Sequence, residues 1–193
     1  SITSQWKAYQ FGGAFFRLNY AFDDRYLLEV NGRYDGSSRF PSDERWAFFP
    51  SASVGWRISQ EPWWNVKSEH ISNAKVRFSW GSLGNAAGLS NYQYIQTLGI
   101  SKSDYILDGL RQNYMSSPAA LPGNLTWETA TTYDIGADLG FFDNRLTVSG
   151  DYYIRKTTDM IVNGPTVPDV FGASSPKGNY ADMSTYGYEL FLQ

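Results

Sequence analysis

Apolar and polar residues alternate along most of this chain with the period of two that belongs to a β-strand, whose successive side chains leave opposite faces. In one run Leu28, Val30, Gly32 and Tyr34 oppose Leu27, Glu29, Asn31, Arg33 and Asp35. Further along, Ala74, Val76, Phe78 and Trp80 oppose Lys75, Arg77, Ser79 and Gly81, and Leu146, Val148, Gly150, Tyr152 and Ile154 oppose Thr147, Ser149, Asp151, Tyr153 and Arg155. The pattern predicts an all-β fold of about seven antiparallel, up-and-down strands. They fall at about 13–22, 25–34, 49–59, 74–81 and 127–142, with a sixth from 146 and a seventh over 186–193. Ten residues at roughly 3.3 Å each, tilted by about 45°, cover about 25 Å, the height of the apolar band of a transmembrane β-barrel.

The connections between these runs fall into two classes. Asp23 and Asp143 begin short turns, whereas long loops rich in Gly, Pro, Ser and Asn follow Gly36, Leu83 and Thr157. The connection around Pro62 is intermediate and carries the only histidine, His70. Within the longest loop, Tyr92 to Leu98 and Tyr105 to Leu107 read as a ladder extension or a hairpin. Short turns on one side and long loops on the other characterise outer-membrane barrels, whose long loops lie outside the cell. A soluble β-sandwich that binds carbohydrate is the alternative, since its strands alternate for the same reason. Two features favour the barrel: strands longer than the usual five or six residues, and polar faces bearing Arg17, Arg33, Arg57, Arg77, Asp134, Asp138, Asp151, Arg155 and Glu189, which suit a wet lumen.

Composition narrows the function classes. Aromatic residues make up 17% of the chain and charged residues 18%, and Tyr and Trp favour boundaries between apolar and wet surroundings. A net charge of -3 gives no basic patch for nucleic acid. The absence of cysteine excludes disulfides, zinc–thiolate sites and thiol catalysis. The longest wholly apolar run, Phe11 to Phe16, is far shorter than a spanning helix requires. The chain opens without a leader-like segment and closes inside an alternating run, and seven strands would leave two open edges. The expectation is therefore that residues 1–193 are one part of a larger barrel domain.

Candidate chemistry is sparse, and no cofactor or metal site is expected. His70 has no second His or Cys beside it to complete a metal site. Asp134 and Asp138 share a face but sit about 13 Å apart on a strand, beyond the roughly 5–9.5 Å that glycosidase carboxylates span, so the chain reads as a non-enzyme. Asp43, Glu44 and Arg45 read as a solvated loop. The candidates for ligand or partner contact are Tyr92, Tyr94, Tyr105, Tyr114 and Trp127, whose rings can stack on sugars or peptides or can line a membrane interface or pack the loops.

Five ordered strings then give a specific resemblance. They are Arg33 to Phe40 (RYDGSSRF), Phe49 to Ser59 (FPSASVGWRIS), Lys75 to Asn85 (KVRFSWGSLGN), Leu125 to Glu128 (LTWE), and Asp151-Tyr152-Tyr153 ahead of Thr157-Thr158-Asp159. The chain resembles the SusC-like TonB-dependent outer-membrane transporters along essentially its whole length. The resemblance implies a multi-pass barrel of 22 strands in the outer membrane, plugged by an N-terminal domain and energised by the TonB complex through a TonB box. It also implies a SusD-like surface lipoprotein that helps capture glycans or peptides. Neither plug nor TonB box is recognisable in these residues, so the stretch is expected to supply barrel wall, with outer-membrane lipid on one side.

Overall fold

The computed structural model describes residues 8–67, 70–96, 98–115, 120–123, 125–168, 170, 172 and 175–193. Its strands are β1 (Phe11–Phe22), β2 (Tyr26–Ser37), β3 (Trp46–Arg57), β4 (Asn73–Asn85), β5 (Ile100–Leu107), β6 (Leu110–Met115), β7 (Glu128–Phe141), β8 (Leu146–Asn163) and β9 (Lys177–Leu192), with one short 3-10 turn at Ile58–Gln60. Seven of them form one antiparallel sheet in the order β1-β2-β3-β4-β7-β8-β9, and β5 pairs only with β6. Among the described residues nothing continues the ladder beyond β1 or β9, so the sheet is open. Among the described residues no second sheet pairs or packs with it in the way a sandwich core requires.

Register explains why the alternation is so regular. Tyr20 faces Leu28, Leu28 faces Val54, Val54 faces Phe78, Phe78 faces Ile135, Ile135 faces Tyr152 and Tyr152 faces Tyr188. One apolar row thus crosses all seven strands. A slip of one residue at any pair would put that strand's charges into the row. Leu28, Val30, Val76, Phe78, Ile135, Leu139, Leu146 and Val148 all lie on this face, and Phe78 and Ile135 are 45% and 53% exposed although they are at the centre of the sheet. Such a continuous uncovered apolar surface calls for non-aqueous surroundings or a partner.

The polar face is knitted by charge. Arg17 pairs with Glu29 across β1 and β2 at 2.7 Å. Arg77 on β4 donates from Nε and Nη2 to Asp138 on β7 at 2.8 and 3.0 Å, and its Nη2 also reaches Asp151 on β8 at 3.0 Å. The residues facing this network are small: a Cβ at Gly136 would lie 2.0 Å from Asp151 Oδ1, so glycine there makes room for the ion pairs.

Short turns and long loops alternate between the two ends of the sheet as expected. In the three-residue connection between β1 and β2, Asp23 and Asp24 adopt left-handed φ of 51° and 53°, and Arg25 N–H closes the turn on Phe22 O. Between β7 and β8 Phe142, Asp143 and Asn144 are all left-handed, and Arg145 N–H donates to Phe142 O. The structure also corrects the sequence-based element map. Tyr92 to Ile95 is a turn, with Tyr92 at φ 62° and Ile95 N–H donating to Tyr92 O, and not a strand. The hairpin is β5–β6, turned at Asp108-Gly109. The ladder of β8 and β9 runs outward to Asn163 facing Lys177, so the final long loop is much shorter than the span from Thr157 to Met183. Asp159, at φ 57°, sits in the bulge that lets β8 continue.

Candidate functional site

The long-loop end of the sheet is a packed platform. Beyond β2 the chain folds back, with Ser37 N–H donating to Arg45 O and Phe40 N–H to Ser37 O. That turn drives Phe40, 0% exposed, into a cluster with Phe49, Leu89, Leu125 and Trp127. Trp127 is its hub: its ring lies 4.7 Å from Phe40, and 5.6 and 6.2 Å from Phe49 and Phe11 in edge-on geometry. Burial of these rings holds three stretches together, the chain after β2, the chain after β4 and the chain before β7, and ties them to β1 and β3.

Polar staples fix what the rings bury. Arg39 donates to Asn91 Oδ1 at 3.2 Å and to the Ala86 carbonyl at 3.4 Å, and its guanidinium lies 4.2 Å from the centre of the Tyr9 ring. Asn179 on β9 accepts from Thr126 N–H at 2.9 Å and donates to the Thr126 carbonyl at 3.0 Å. Glu128 accepts from Asn85 Nδ2 and from Ile161 N–H. The strings RYDGSSRF and LTWE are therefore the fastening of the loops.

The five aromatic candidates occupy unlike places. Trp127 is 4% exposed and its surface is used in packing, which leaves no ring face for a ligand. Tyr94 is partly buried against the same cluster. Tyr92 is half exposed, and its hydroxyl donates to the Ala8 carbonyl at 3.2 Å. Tyr105 and Tyr114 stand on the β5–β6 hairpin, 83% and 53% exposed. The hairpin also presents Ile100, Ile106, Leu107, Leu110 and Met115, each between 63% and 70% exposed. Sequence reasoning did not single out these aliphatic residues, although Asp108-Gly109 between two apolar runs is a hairpin signal. His70 is an exposed surface residue in the connection between β3 and β4.

Aromatic rings mark both borders of the apolar face. Near the short turns are Tyr26, Trp56 and Trp63, with the rings of Trp56 and Trp63 edge-on at 6.5 Å. Near the long loops Tyr34 stacks on Trp46, with centroids 5.2 Å apart and planes 10° from parallel. Trp46 and Trp56 bound the same strand, β3. Ten residues on such a strand rise about 33 Å, or about 23 Å across a bilayer at a tilt of about 45°, close to the height of the apolar band between aromatic girdles.

Known proteins share this arrangement. The family model described as TonB dependent receptor-like, beta-barrel matches residues 1–193. The TonB-dependent receptor P26 of Formosa agariphila is 34% identical over 192 residues, which cover 99% of this chain and 19% of that protein. The TonB-dependent receptor SusC of Bacteroides thetaiotaomicron is 36% identical over 183 residues, covering 92% of this chain and 18% of SusC. Among solved structures, the RagAB peptide transporter matches with a TM-score of 0.81 and 30% identity over 95% of this chain and 20% of that one. The siderophore receptor PirA from Acinetobacter baumannii, 15% identical with a TM-score of 0.61, shares the fold. The chain spans about a fifth of the length of the curated relatives it matches. These relatives are receptors and transporters, not enzymes. With one apolar and one charged face, ringed borders and a loop platform at one end, the chain belongs to the TonB-dependent receptor-like β-barrel family and forms part of the wall of an outer-membrane barrel.

Proposed function

We propose that these 193 residues serve a SusC-type nutrient importer that takes up oligosaccharides or peptides, and that their long-loop end is where cargo and a SusD-like surface lipoprotein are met. The observation that carries this is the β5–β6 hairpin. A two-stranded hairpin is at best marginally stable in water by itself, yet this one exposes apolar residues along both strands and pairs with no strand of the seven-stranded sheet. It belongs to the connection between β4 and β7, whose two flanks are fastened at Leu89 and Asn91 on one side and at Leu125 and Trp127 on the other. Binding residues gather on loops held by a rigid scaffold. In this reading Tyr105 and Tyr114 make partner or ligand contact, Tyr92 and Tyr94 shape the loop beside them, and Trp127 acts beneath. Plug and TonB contact belong to parts of the protein beyond these residues.

The test uses the full-length receptor. Tyr105→Ala with Tyr114→Ala should weaken lipoprotein pull-down and cargo uptake at normal surface abundance. Unchanged docking and uptake at normal abundance would remove the hairpin from the binding surface.

A further inference from the structure

On the apolar face, β3 carries Ala52 and Val54 where β4 carries the larger Trp80 and Phe78. A hollow of about 420 Å³ lies over Leu28, Val54 and Val76, and Tyr26, Trp56 and Phe78 line its sides. A second hollow of about 340 Å³ shares Val54 and Phe78 and continues along β3 over Ala52. Together they form a furrow that starts at the aromatic border near the short turns and runs toward mid-sheet. The furrow lies over β3, whose neighbours β2 and β4 are both present.

The mouth of the furrow has a definite charge. Trp56 Nε1 and Tyr26 hydroxyl donate to Glu61 Oε1 at 2.8 and 2.7 Å. Arg25 pairs with Glu61 at 3.3 Å and with Asp23. Asp24 stands beside them, exposed. Two carboxylates thus share one guanidinium, so the cation is already engaged, and the neighbouring Asp24 adds a further exposed negative charge in the same turn. Such a mouth repels an anionic headgroup and attracts an ammonium group.

We infer that this furrow seats one acyl chain of a zwitterionic aminophospholipid of the periplasmic leaflet, with the ammonium group at the exposed carboxylates of Asp23 and Asp24 beside its mouth. The inference rests on the apolar face meeting lipid and on the short turns being periplasmic. An apolar furrow between ridges offers a chain more contact than the flat rows beside it. The charge at the mouth then decides which lipid stays.

The experiment reconstitutes the full-length receptor in vesicles of phosphatidylethanolamine and phosphatidylglycerol, extracts it gently, and reads retained lipid by native mass spectrometry. Outer-membrane fractionation of the same cells separates a misplaced receptor from one that is correctly placed but lacks the lipid. Phosphatidylethanolamine should be retained in preference. Asp23→Asn with Asp24→Asn should reduce that preference by about five-fold per carboxylate, and asparagine tolerates the left-handed φ that both positions adopt. Val54→Trp, which fills the furrow, should abolish retention, whereas Tyr152→Trp on the same face should leave it intact. Equal retention of the two lipids by the unsubstituted receptor, or undiminished retention in Val54→Trp, would overturn the assignment.

Discussion

Asn179 takes the place of a β-strand neighbour for Thr126: its Oδ1 accepts from Thr126 N–H at 2.9 Å and its Nδ2 donates to the Thr126 carbonyl at 3.0 Å. The same Nδ2 also reaches the carbonyl of Asp159 in the β8 bulge. One side chain thereby holds the LTWE string against the outer end of β8 and β9. Asn179→Leu removes all three bonds and leaves part-buried backbone groups unsatisfied, at a cost of about 1–3 kcal/mol for each group that water does not reach. The loss should be local. Limited proteolysis should cut the loop ahead of β7 faster than in the parent, while heat-modifiable mobility of the barrel stays unchanged.

Gly84 and Gly12 make a paired test of the platform. A Cβ at Gly84 would meet Phe49 Cζ at 2.0 Å, and Phe49 cannot retreat because Trp127 lies behind it. At Gly12 a Cβ would meet nothing within 4 Å. Gly84→Ala should therefore destabilise the loop end by about 1–3 kcal/mol through overpacking, and Gly12→Ala should be close to neutral. Thermal denaturation of the full-length receptor in detergent distinguishes them.

The wall was legible in the sequence because each strand states its own two faces. Leu28, Val54, Phe78 and Ile135 could be assigned to one surface without knowing their partners, and the register then joined them. The platform was not legible in the same way. Trp127 stands at the very start of a predicted strand, and its burial depends on Phe40 and Phe49, which are distant in sequence and meet it only in the folded chain. The outer ends of β8 and β9 were hidden by composition, since Pro165, Pro168 and Pro176 suggest a loop starting at Thr157, while the bulge at Asp159 lets pairing continue to Asn163. The β5–β6 hairpin carries a local signal, the Asp108-Gly109 pair after the apolar run Tyr105 to Leu107.

The assignment of faces is tested by a charge placed on each. Ile135 is 53% exposed on the apolar face, in the row with Val54 and Phe78. Ile135→Arg should cost about 2–4 kcal/mol if that row lies near the bilayer midplane. Ser79 is on the opposite face and directly faces Asp134. Ser79→Arg should be milder, since an opposite charge across the strand pair returns roughly 0.2–1 kcal/mol. Folding titrations into lipid vesicles give both numbers, and equal cost would reverse the two faces.

Glu61 gives a pH dependence with a defined sign. The Trp56 indole N–H, then the Tyr26 hydroxyl, then Arg25 hold its carboxyl below the ordinary glutamate value of 4.5. A carboxyl whose folded value is depressed adds stability that is complete above its unfolded value and disappears as pH falls through the folded one. The contribution from Glu61 is thus present at neutral pH and fades only below about pH 4.5. Glu61→Gln keeps the shape but gives up the charge that Arg25 pairs with, and one amide oxygen must replace two carboxylate oxygens. The variant should be less stable than the parent at pH 7, and the gap between them should narrow as the pH falls below about 4.5. Tryptophan fluorescence suits the measurement, because Trp56 donates directly to Glu61 and Trp63 lies edge-on to Trp56. A gap that stays constant as the pH falls would mean that the carboxylate charge contributes nothing to the stability of the short-turn end.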